Sequence, residues 1–314
     1  MTAALPGRVP MTCLPAGVTL LERNWLSSNN LLVSDGREAA LIDSGYVTQA
    51  GQTLALVERA LGTAALSVLV NTHLHSDHCG GNAALQERFP ALSTWVPPGH
   101  LAQVRDWDPV ALTYVPTGQA CPRFRADGAL TPGGTMLLGG QPWEVHAAPG
   151  HDPHSVILFE PRSRLLVSAD ALWSNGFGVI FPELDGEDAF EAVGATLDLI
   201  ESLQPRIVVP GHGPVFEDVD AALTRARARL AGLVADPAKH ARHGAKVLMK
   251  FRLLQQERHD PGEFLRWALA TPYLETIRSR WAPQADAADW ILELLGELER
   301  SGAARRAGGW VWNA

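Results

Sequence analysis

The most constraining feature of this sequence is a cluster of ionisable side chains in one short segment. Three histidines and one aspartate lie within THLHSDH, as His73, His75, Asp77 and His78, in a chain that has 11 histidines in all. Burying these groups without partners would be costly, so ordinary packing does not explain the cluster. Imidazole and carboxylate groups are suitable ligands for Zn²⁺, Mn²⁺ or Fe. The cluster therefore predicts a metal site.

The spacing within this segment favours two metals. Residues 66–73 begin as an apolar run that is short enough for a buried strand. An extended chain directs alternate side chains to one side, so His73 and His75 can bind one metal. Asp77 and His78 lie at the turn into a helix and can bind a second. Two glycines follow at once and allow the backbone to pass close to the site.

Three later segments share one form, a strand-like apolar run that ends in a loop with a candidate ligand. They place His151 in APGHDPHS, Asp170 in VSADAL and His212 in VPGHGP. Asp43 ends LIDSG in the same manner, although an aspartate at a strand end is often only a turn or a helix cap. Because strand ends of one sheet can converge in space, we expect these loops to meet at the same site.

Composition and patterning predict an α/β protein with two parts. Of the 314 residues, 46% are apolar and 19% are charged, which is ordinary for a globular chain and excludes disorder as its main state. We predict a strand-rich domain over 1–235 and a helical domain over 236–314. The predicted elements are strands within 18–43, an irregular cap over 97–133, helices near 48–61, 187–203, 217–233, 241–257, 261–270 and 285–301, and a final hairpin.

Charge and cysteine content restrict the partners that we expect. The net charge of −8 gives no general attraction for a phosphate backbone, which disfavours nucleic acid. The three cysteines are too few for a disulfide framework. The sequence has neither the apolar core of a secretion signal nor an apolar run long enough for a membrane span. We expect a cytoplasmic protein with a small-molecule substrate and no membrane partner. Whether the chain forms a homodimer is left open by the sequence.

The five segments together closely resemble the metallo-β-lactamase superfamily. LIDSG, THLHSDH, PGHDPHS, SADAL and PGHG match its motifs in the right order, and the resemblance covers about residues 18–215. It implies a four-layer αββα sandwich with the site at one edge of two sheets. It also implies two metal sites that share a carboxylate. The implied ligands are His73, His75 and His151 for the first metal, Asp77, His78 and His212 for the second, and Asp170 between them.

The details of the motifs favour one branch of this superfamily. His75 is not acidic, which disfavours the diiron oxygen-reducing branch with its HxExD pattern. Asp77 and Asp170 together resemble the dinuclear glyoxalase II type of hydrolase. Lactamases of the Cys-ligand subclass would have cysteine in place of Asp170. By the same resemblance, Asp43 would order the ligand loop without binding a metal.

The implied activity is hydrolysis of a small ester, thioester or lactone. Two divalent ions per chain, foremost zinc with iron or manganese as alternatives, would hold a bridging hydroxide that attacks the substrate. Asp77 is the candidate catalytic residue, because it could also receive or shuttle a proton. Cys79 follows a ligand directly and either supports the site from behind or is simply a small buried residue.

Aromatic side chains near the motifs suggest a substrate pocket, although core packing explains them equally well. The segment 173–184 follows Asp170 and combines aromatic residues with two glycines. The candidate pocket residues are His154, Trp173, Phe177, Phe181, and Trp107 and Tyr114 of the cap. His146, His154, His240, His243 and His259 are expected mostly to be solvated or packed.

The end of the chain raises an alternative function. A last helix followed by a Gly-bearing hairpin resembles a winged helix, a tail that some lactamase-like endoribonucleases carry. The helix has five acidic residues against Arg300, which is unfavourable for reading a nucleic acid groove. We therefore expect a structural or dimerisation module that could close over the active site. Metal-dependent endoribonuclease activity and a catalytically silent metal-binding regulator remain the alternatives.

Overall fold

The computed structural model describes residues 14–314, and Cys13 therefore lies outside the described residues. Within this range the strands are β1 (Val18–Leu21), β2 (Asn30–Ser34), β3 (Glu38–Ile42), β4 (Ala65–Val70), β5 (Ser93–Val96), β6 (Gly128–Ala129), β7 (Thr135–Leu138), β8 (Gln141–Ala147), β9 (Val156–Glu160), β10 (Leu165–Ala169), β11 (Ile207–Pro210), β12 (Arg258–His259), β13 (Ala304–Ala307) and β14 (Trp310–Asn313). The helices are α1 (Ala50–Leu61), α2 (Ser76–Cys79), α3 (Asn82–Arg88), α4 (Leu101–Asp106), α5 (Tyr114–Thr117), α6 (Phe181–Asp185), α7 (Phe190–Leu203), α8 (Val219–Ala235), α9 (Pro237–Gln255), α10 (Pro261–Ala270), α11 (Pro272–Trp281) and α12 (Ala287–Arg300).

Two sheets form the centre of the first part of the chain. The first has the order β1-β2-β3-β4-β5-β6, antiparallel from β1 to β3 and parallel from β3 to β6. The second has the order β11-β10-β9-β8-β7, in which only β10 and β11 are parallel. Strands β9 and β10 are buried along their whole length, as continuous apolar strands between layers must be.

The sheets pack face to face and carry helices on their outer faces. Leu31 and Ile42 of the first sheet share a buried cluster with Leu158 of the second. Helices α1 and α3 cover the other face of the first sheet, and α7 and α8 cover the second. The layers follow the order αββα, so the predicted four-layer sandwich is confirmed.

The segment 97–133 is more ordered than the sequence predicts. It contains α4, α5 and β6, and β6 extends the first sheet by pairing with β5. Val104, Tyr114 and Phe124 pack with Cys79 in a hydrophobic cluster of their own. The sequence shows no periodicity here because each element is shorter than two helical turns.

The C-terminal region is mostly helical, as predicted. Its core combines α9 to α12 with two residues from before α7, Val179 and Leu184. TPYLETIRSRW forms the full helix α11, with Pro272 in its first turn, where the sequence predicts only a shorter segment. The final hairpin is confirmed as β13 and β14, and β12 joins its edge. The winged-helix assignment stays a prediction, as does the domain boundary, which falls between α8 and α9.

Among the described residues, none of the helices combines the length and the hydrophobicity that crossing a bilayer requires.

The packing between the sheets predicts a stability difference between two leucines. Leu158 has no exposed surface between the sheets, whereas Leu137 is 69% exposed on β7. Leu158→Ala should lower the free energy of unfolding by about 2–5 kcal/mol, because it leaves a cavity in the core. Leu137→Ala should change it by less than about 0.5 kcal/mol. Urea unfolding at fixed metal content measures both, and equal losses would contradict the proposed layer packing.

Candidate metal centre

A buried carboxylate connects the strand ends that carry the site. Asp43 follows β3 in a left-handed conformation, with φ of 58°. Its Oδ1 accepts a hydrogen bond from the backbone N–H of Thr72 at 2.9 Å, and its Oδ2 accepts one from the Thr72 hydroxyl at 2.8 Å. Oδ2 also lies 2.8 Å from Nδ1 of His78. Asp43 therefore fixes both the loop after β4 and the first turn of α2.

Three histidines converge at one end of the site. His73, His75 and His151 offer ring nitrogens that all lie within 4.8 Å of one another. Nδ1 of His75 is 2.8 Å from Nε2 of His151. The outer nitrogen of His151, Nδ1, lies 2.5 Å from the carbonyl oxygen of Val179. This hydrogen bond directs Nε2 towards the other two histidines.

A second group lies beside the first. Asp77, His78 and His212 also offer atoms within 4.8 Å of one another, and Nε2 of His212 is 3.1 Å from Oδ2 of Asp77. Asp170 lies between the groups. Its Oδ2 is 3.4 Å from Nε2 of His151, and its Oδ1 is 3.5 Å from Nε2 of His78. One carboxylate therefore presents an oxygen to each group.

The donor atoms fit divalent cations. Nε2 of His73 and Nε2 of His78 are buried and have no hydrogen-bond partner. Their other nitrogens are engaged, because Nδ1 of His73 contacts the Thr72 hydroxyl and Nδ1 of His78 contacts Asp43. A histidine whose outer nitrogen is held by a neighbouring group directs its free nitrogen to a metal in the same way.

The electrostatics of the site also favour a cation. Burial, reinforced by neighbouring histidines, lowers the pKa of His73 well below its ordinary value and that of His75 to about 4. Burial opposes charge at His78 too, but the carboxylates of Asp43 and Asp170 outweigh it and raise the pKa of His78 well above its ordinary value. The site therefore presents neutral imidazoles on one side and a strongly negative field on the other.

Two glycines allow the ligand loops to approach each other. A side chain at Gly178 would collide with Nδ1 of His151, and one at Gly211 would collide with Oδ1 of Asp170. The PGHG segment and the loop after Asp170 can therefore pass this close to the donor atoms only because these two positions are glycine.

The donors open into a cavity of about 530 Å³ that reaches the C-terminal helices. Trp173, Phe177 and Phe181, three of the candidate pocket residues, line it, and Phe177 also belongs to the buried core beneath. Trp173 donates a hydrogen bond from Nε1 to Oδ1 of Asp170 at 3.2 Å. Trp25 stacks on His212 with ring centroids 5.4 Å apart.

A second cavity of about 300 Å³ lies on the other side of His75 and Phe181. His154 lines it and packs edge-on against His100, with ring centroids 4.5 Å apart. Asp152 also lines this cavity, and its carboxylate is 3.9 Å from Nε2 of His75. His154 therefore faces a space next to the site without approaching the donor groups.

The structure contradicts the predicted pocket positions of Trp107 and Tyr114. Neither side chain lines the two cavities, and both pack in the hydrophobic cluster around Cys79. The Cys79 thiol lies 3.1 Å from the Tyr114 hydroxyl and 3.8 Å from the Cys121 sulfur. These aromatic residues are core, because the helices of 97–133 fold them inward behind α2.

The cavity residues that sequence reasoning missed include Trp25, Arg229 and His243. Trp25 lies in the loop after β1, Arg229 on α8 and His243 on α9. None belongs to a motif, and His243 is predicted only to be solvated or packed. Each becomes part of the site only because its element packs beside the ligand loops.

Comparison with known proteins now decides the family. The sequence profile of the family described as the metallo-beta-lactamase superfamily matches residues 23–212. This chain belongs to the metallo-β-lactamase superfamily. The residues that carry the donor groups, from His73 to His212, all lie within the matched range.

Relatives in this superfamily include hydroxyacylglutathione hydrolases. One from Stenotrophomonas maltophilia is 31% identical over 151 residues, and the match spans 48% of this chain and 48% of that protein. One from Xanthomonas campestris is 28% identical over 308 residues, or 95% of this chain and 99% of that protein. An atrochrysone carboxyl ACP thioesterase from Aspergillus fumigatus is 23% identical over 269 residues, covering 83% of this chain and 71% of that protein.

Solved structures share the fold of this chain. The protein TTHA1623 in a di-iron-bound form is 28% identical, with a TM-score of 0.53 over 67% of this chain and 98% of that chain. The metallo-beta-lactamase family protein TTHA1429 from Thermus thermophilus is 19% identical, with a TM-score of 0.56 over 96% of this chain and all of that chain. Because the match to TTHA1429 covers nearly the whole chain, the shared fold includes the C-terminal region.

The close approach at Gly178 predicts that a single methyl group weakens metal binding. Gly178→Ala should lower zinc affinity about tenfold or more, because the new Cβ displaces His151. Gly232→Ala on α8 is the matched control, since a Cβ there meets nothing within 4 Å. Competition titration with a chelating dye measures both affinities. Unchanged affinity in Gly178→Ala would show that metal binding does not depend on the observed position of His151.

The Asp43 contacts predict a separate effect on metal binding. Asp43→Asn should lower zinc affinity about 10- to 100-fold, because His78 loses the carboxylate that orients it. Asp198→Asn, which changes an exposed aspartate of α7 paired with Arg227, should leave the affinity unchanged. Zinc titration of both variants distinguishes the two roles, and equal affinities would exclude an orienting role for Asp43.

Proposed function

We propose that this chain is a dinuclear metal-dependent hydrolase that cleaves small acyl thioesters, with esters and lactones as related substrates. One observation carries the proposal. Two groups of ionisable side chains share the carboxylate of Asp170 at the inner end of a cavity with largely apolar walls. Such a cavity accepts a small molecule with an apolar part and presents its reactive group to the polar end.

We assign seven side chains to two metals. The first metal would be bound by His73, His75 and His151, the second by Asp77, His78 and His212, and both by Asp170. Bound divalent ions supply an activated water and polarise the carbonyl of the substrate. Zinc suits this mixed set of imidazole and carboxylate ligands, and the di-iron form of TTHA1623 makes iron the main alternative.

Residues of the chain would orient the substrate and manage the proton. The carboxylate of Asp77 lines the cavity and keeps 15% of its side chain exposed, so it can accept a proton from water. Its hydrogen bond with His212 offsets burial and lowers the pKa of Asp77, which keeps it ionised at neutral pH. Phe177, Val179 and Phe181 would exclude bulk water from the acyl side.

The relatives favour a thioester over the other substrates. One is named as an acyl carrier thioesterase and others as hydroxyacylglutathione hydrolases, and both names describe cleavage of a conjugate with a sulfur-bearing carrier. The geometry does not favour RNA cleavage to the same degree. Two cations on α9, Arg242 and Lys246, bind Glu297 at 2.7 and 2.8 Å and are therefore not free for phosphates.

Thiol release from a panel of acyl thioesters tests the proposal. Zinc-loaded wild-type protein should turn over at least one member, and Asp170→Asn should lose about a hundredfold or more of that rate, because the shared ligand is lost. Asp198→Asn serves as the control and should retain the rate. Removing the metal should abolish turnover, and reloading with zinc, iron or manganese identifies the active ion.

One outcome would reject the thioester assignment. If wild-type protein binds two metals per chain and releases no thiol from any member, thioesters are excluded. Lactones and labelled single-stranded RNA would then be the next substrates, and inactivity on these as well would favour a silent metal-binding regulator.

A further inference from the structure

One cation in the large cavity lacks an anionic partner. Arg229 lines this cavity, and its Nη2 donates a hydrogen bond to Nε2 of His243 at 3.2 Å. Its Nε is buried and has no hydrogen-bond partner. The guanidinium carbon lies 5.4 Å from the ring centre of Phe177, which forms one wall of the same cavity.

The charge of Arg229 is not neutralised by the part of the chain that the structure describes. No Asp or Glu oxygen within residues 14–314 forms an ion pair with it, whereas Arg227 and Arg242 each bind carboxylates. Burial lowers the pKa of Arg229, and no neighbouring carboxylate counteracts this effect. His243 cannot supply the missing negative charge, because an imidazole side chain is either neutral or positively charged.

The second cation of the cavity, Lys250, also forms no ion pair with an Asp or Glu of residues 14–314, but its donors are all engaged. The ammonium group of Lys250 donates to the backbone oxygens of Ala303 and Ala314 and to Oδ1 of Asn313, at 2.6 to 2.8 Å. These bonds use all three of its donors. Arg229 is therefore the cavity cation with a donor left over for a ligand.

Arg229 and the donor groups line the same cavity. His151 and Asp170 lie on its wall together with Arg229. The chain after Asp170 passes both, because a Cβ at Gly176 would lie 2.8 Å from Cδ of Arg229 and one at Gly178 would collide with His151. A substrate whose carbonyl lies at the donor groups can therefore extend its acyl chain through the cavity towards the guanidinium.

We infer that Arg229 is a specificity-determining residue that binds a carboxylate carried on the acyl part of the substrate, with His243 as its positioning residue. The inference rests on the proposed function. A half-buried cation without a counter-ion loses part of its hydration without compensation, and a bound substrate carboxylate would supply that compensation. The planar guanidinium suits a carboxylate because it can donate two parallel hydrogen bonds.

A pair of matched substrates tests this assignment. Glutaryl and pentanoyl thioesters of N-acetylcysteamine have acyl chains of equal carbon number, but only the first ends in a carboxylate. Wild-type protein should prefer the glutaryl thioester in kcat/KM. Arg229→Met keeps an unbranched side chain beside Phe177 and removes the charge. It should lower kcat/KM for the glutaryl thioester about 10- to 100-fold, mainly through KM, and change the pentanoyl value less than about twofold.

Two further variants separate charge from packing. Arg229→Lys should recover part of the glutaryl preference, because it restores a cation without the planar fork. Arg227→Met removes a cation two residues earlier on α8, outside the cavity, and should change neither substrate. An equal loss on both substrates in Arg229→Met, or no loss on the glutaryl thioester, would overturn the inference.

A binding measurement distinguishes failure of this inference from failure of the proposed function. Calorimetric titration of metal-free protein with glutaramate and with pentanamide does not depend on turnover. Both ligands have five carbons and an amide in place of the thioester, but only glutaramate carries a carboxylate. Tighter binding of glutaramate that disappears in Arg229→Met supports the carboxylate site even if no thioester is cleaved. Equal binding of the two amides, or a glutaramate preference that survives in Arg229→Met, rejects the site even if thioesters are cleaved.

Discussion

The geometry of the site depends on the contacts of one buried carboxylate, that of Asp43. It accepts hydrogen bonds from the amide and hydroxyl of Thr72 and lies against Nδ1 of His78. Because β3 and β4 are parallel neighbours, their ends meet at one edge of the sheet, and a single side chain can join them. These contacts place the histidines of the ligand segment opposite the loops that carry His151 and His212 from the second sheet. The left-handed backbone conformation of Asp43 is the kind of local strain that accumulates at functional sites.

The sandwich supplies the donor groups, and the C-terminal helices supply much of the cavity. Val179 and Leu184 belong to the sandwich half of the chain, yet they pack in the core of α9 to α12. The hydroxyl of Tyr273 on α11 lies 2.7 Å from Oδ2 of Asp185 and 3.0 Å from the carbonyl oxygen of Phe181, within hydrogen-bond distance of both. The segment that follows Asp170 is therefore held on both sides. A change in the C-terminal helices would reach the substrate pocket through these contacts.

Much of the site could be predicted from the sequence because its donors lie in local motifs. Each donor segment follows a strand, namely β4, β8, β10 or β11, and strand ends of a layered α/β fold converge. The αββα layers followed from the same motifs through the family resemblance. The cap and the pocket were harder to predict. An aromatic residue in a segment without periodicity can lie in the core or line a cavity, and the fold buries Tyr114 and Trp107 around Cys79 instead of turning them to the site.

By itself, the sequence determined the donor side chains, their order along the chain and the layers that bring them together. These features depend on residues within a few positions of each other and on the burial of apolar strands. Only the tertiary structure decided which side chains form the cavity walls and which cavity cation keeps an unused donor. Arg229 and His243 come from the consecutive helices α8 and α9, and Trp25 comes from the loop after β1, about 200 residues earlier. Whether a buried charge is neutralised depends on every carboxylate that packing brings near it, and no local pattern records that.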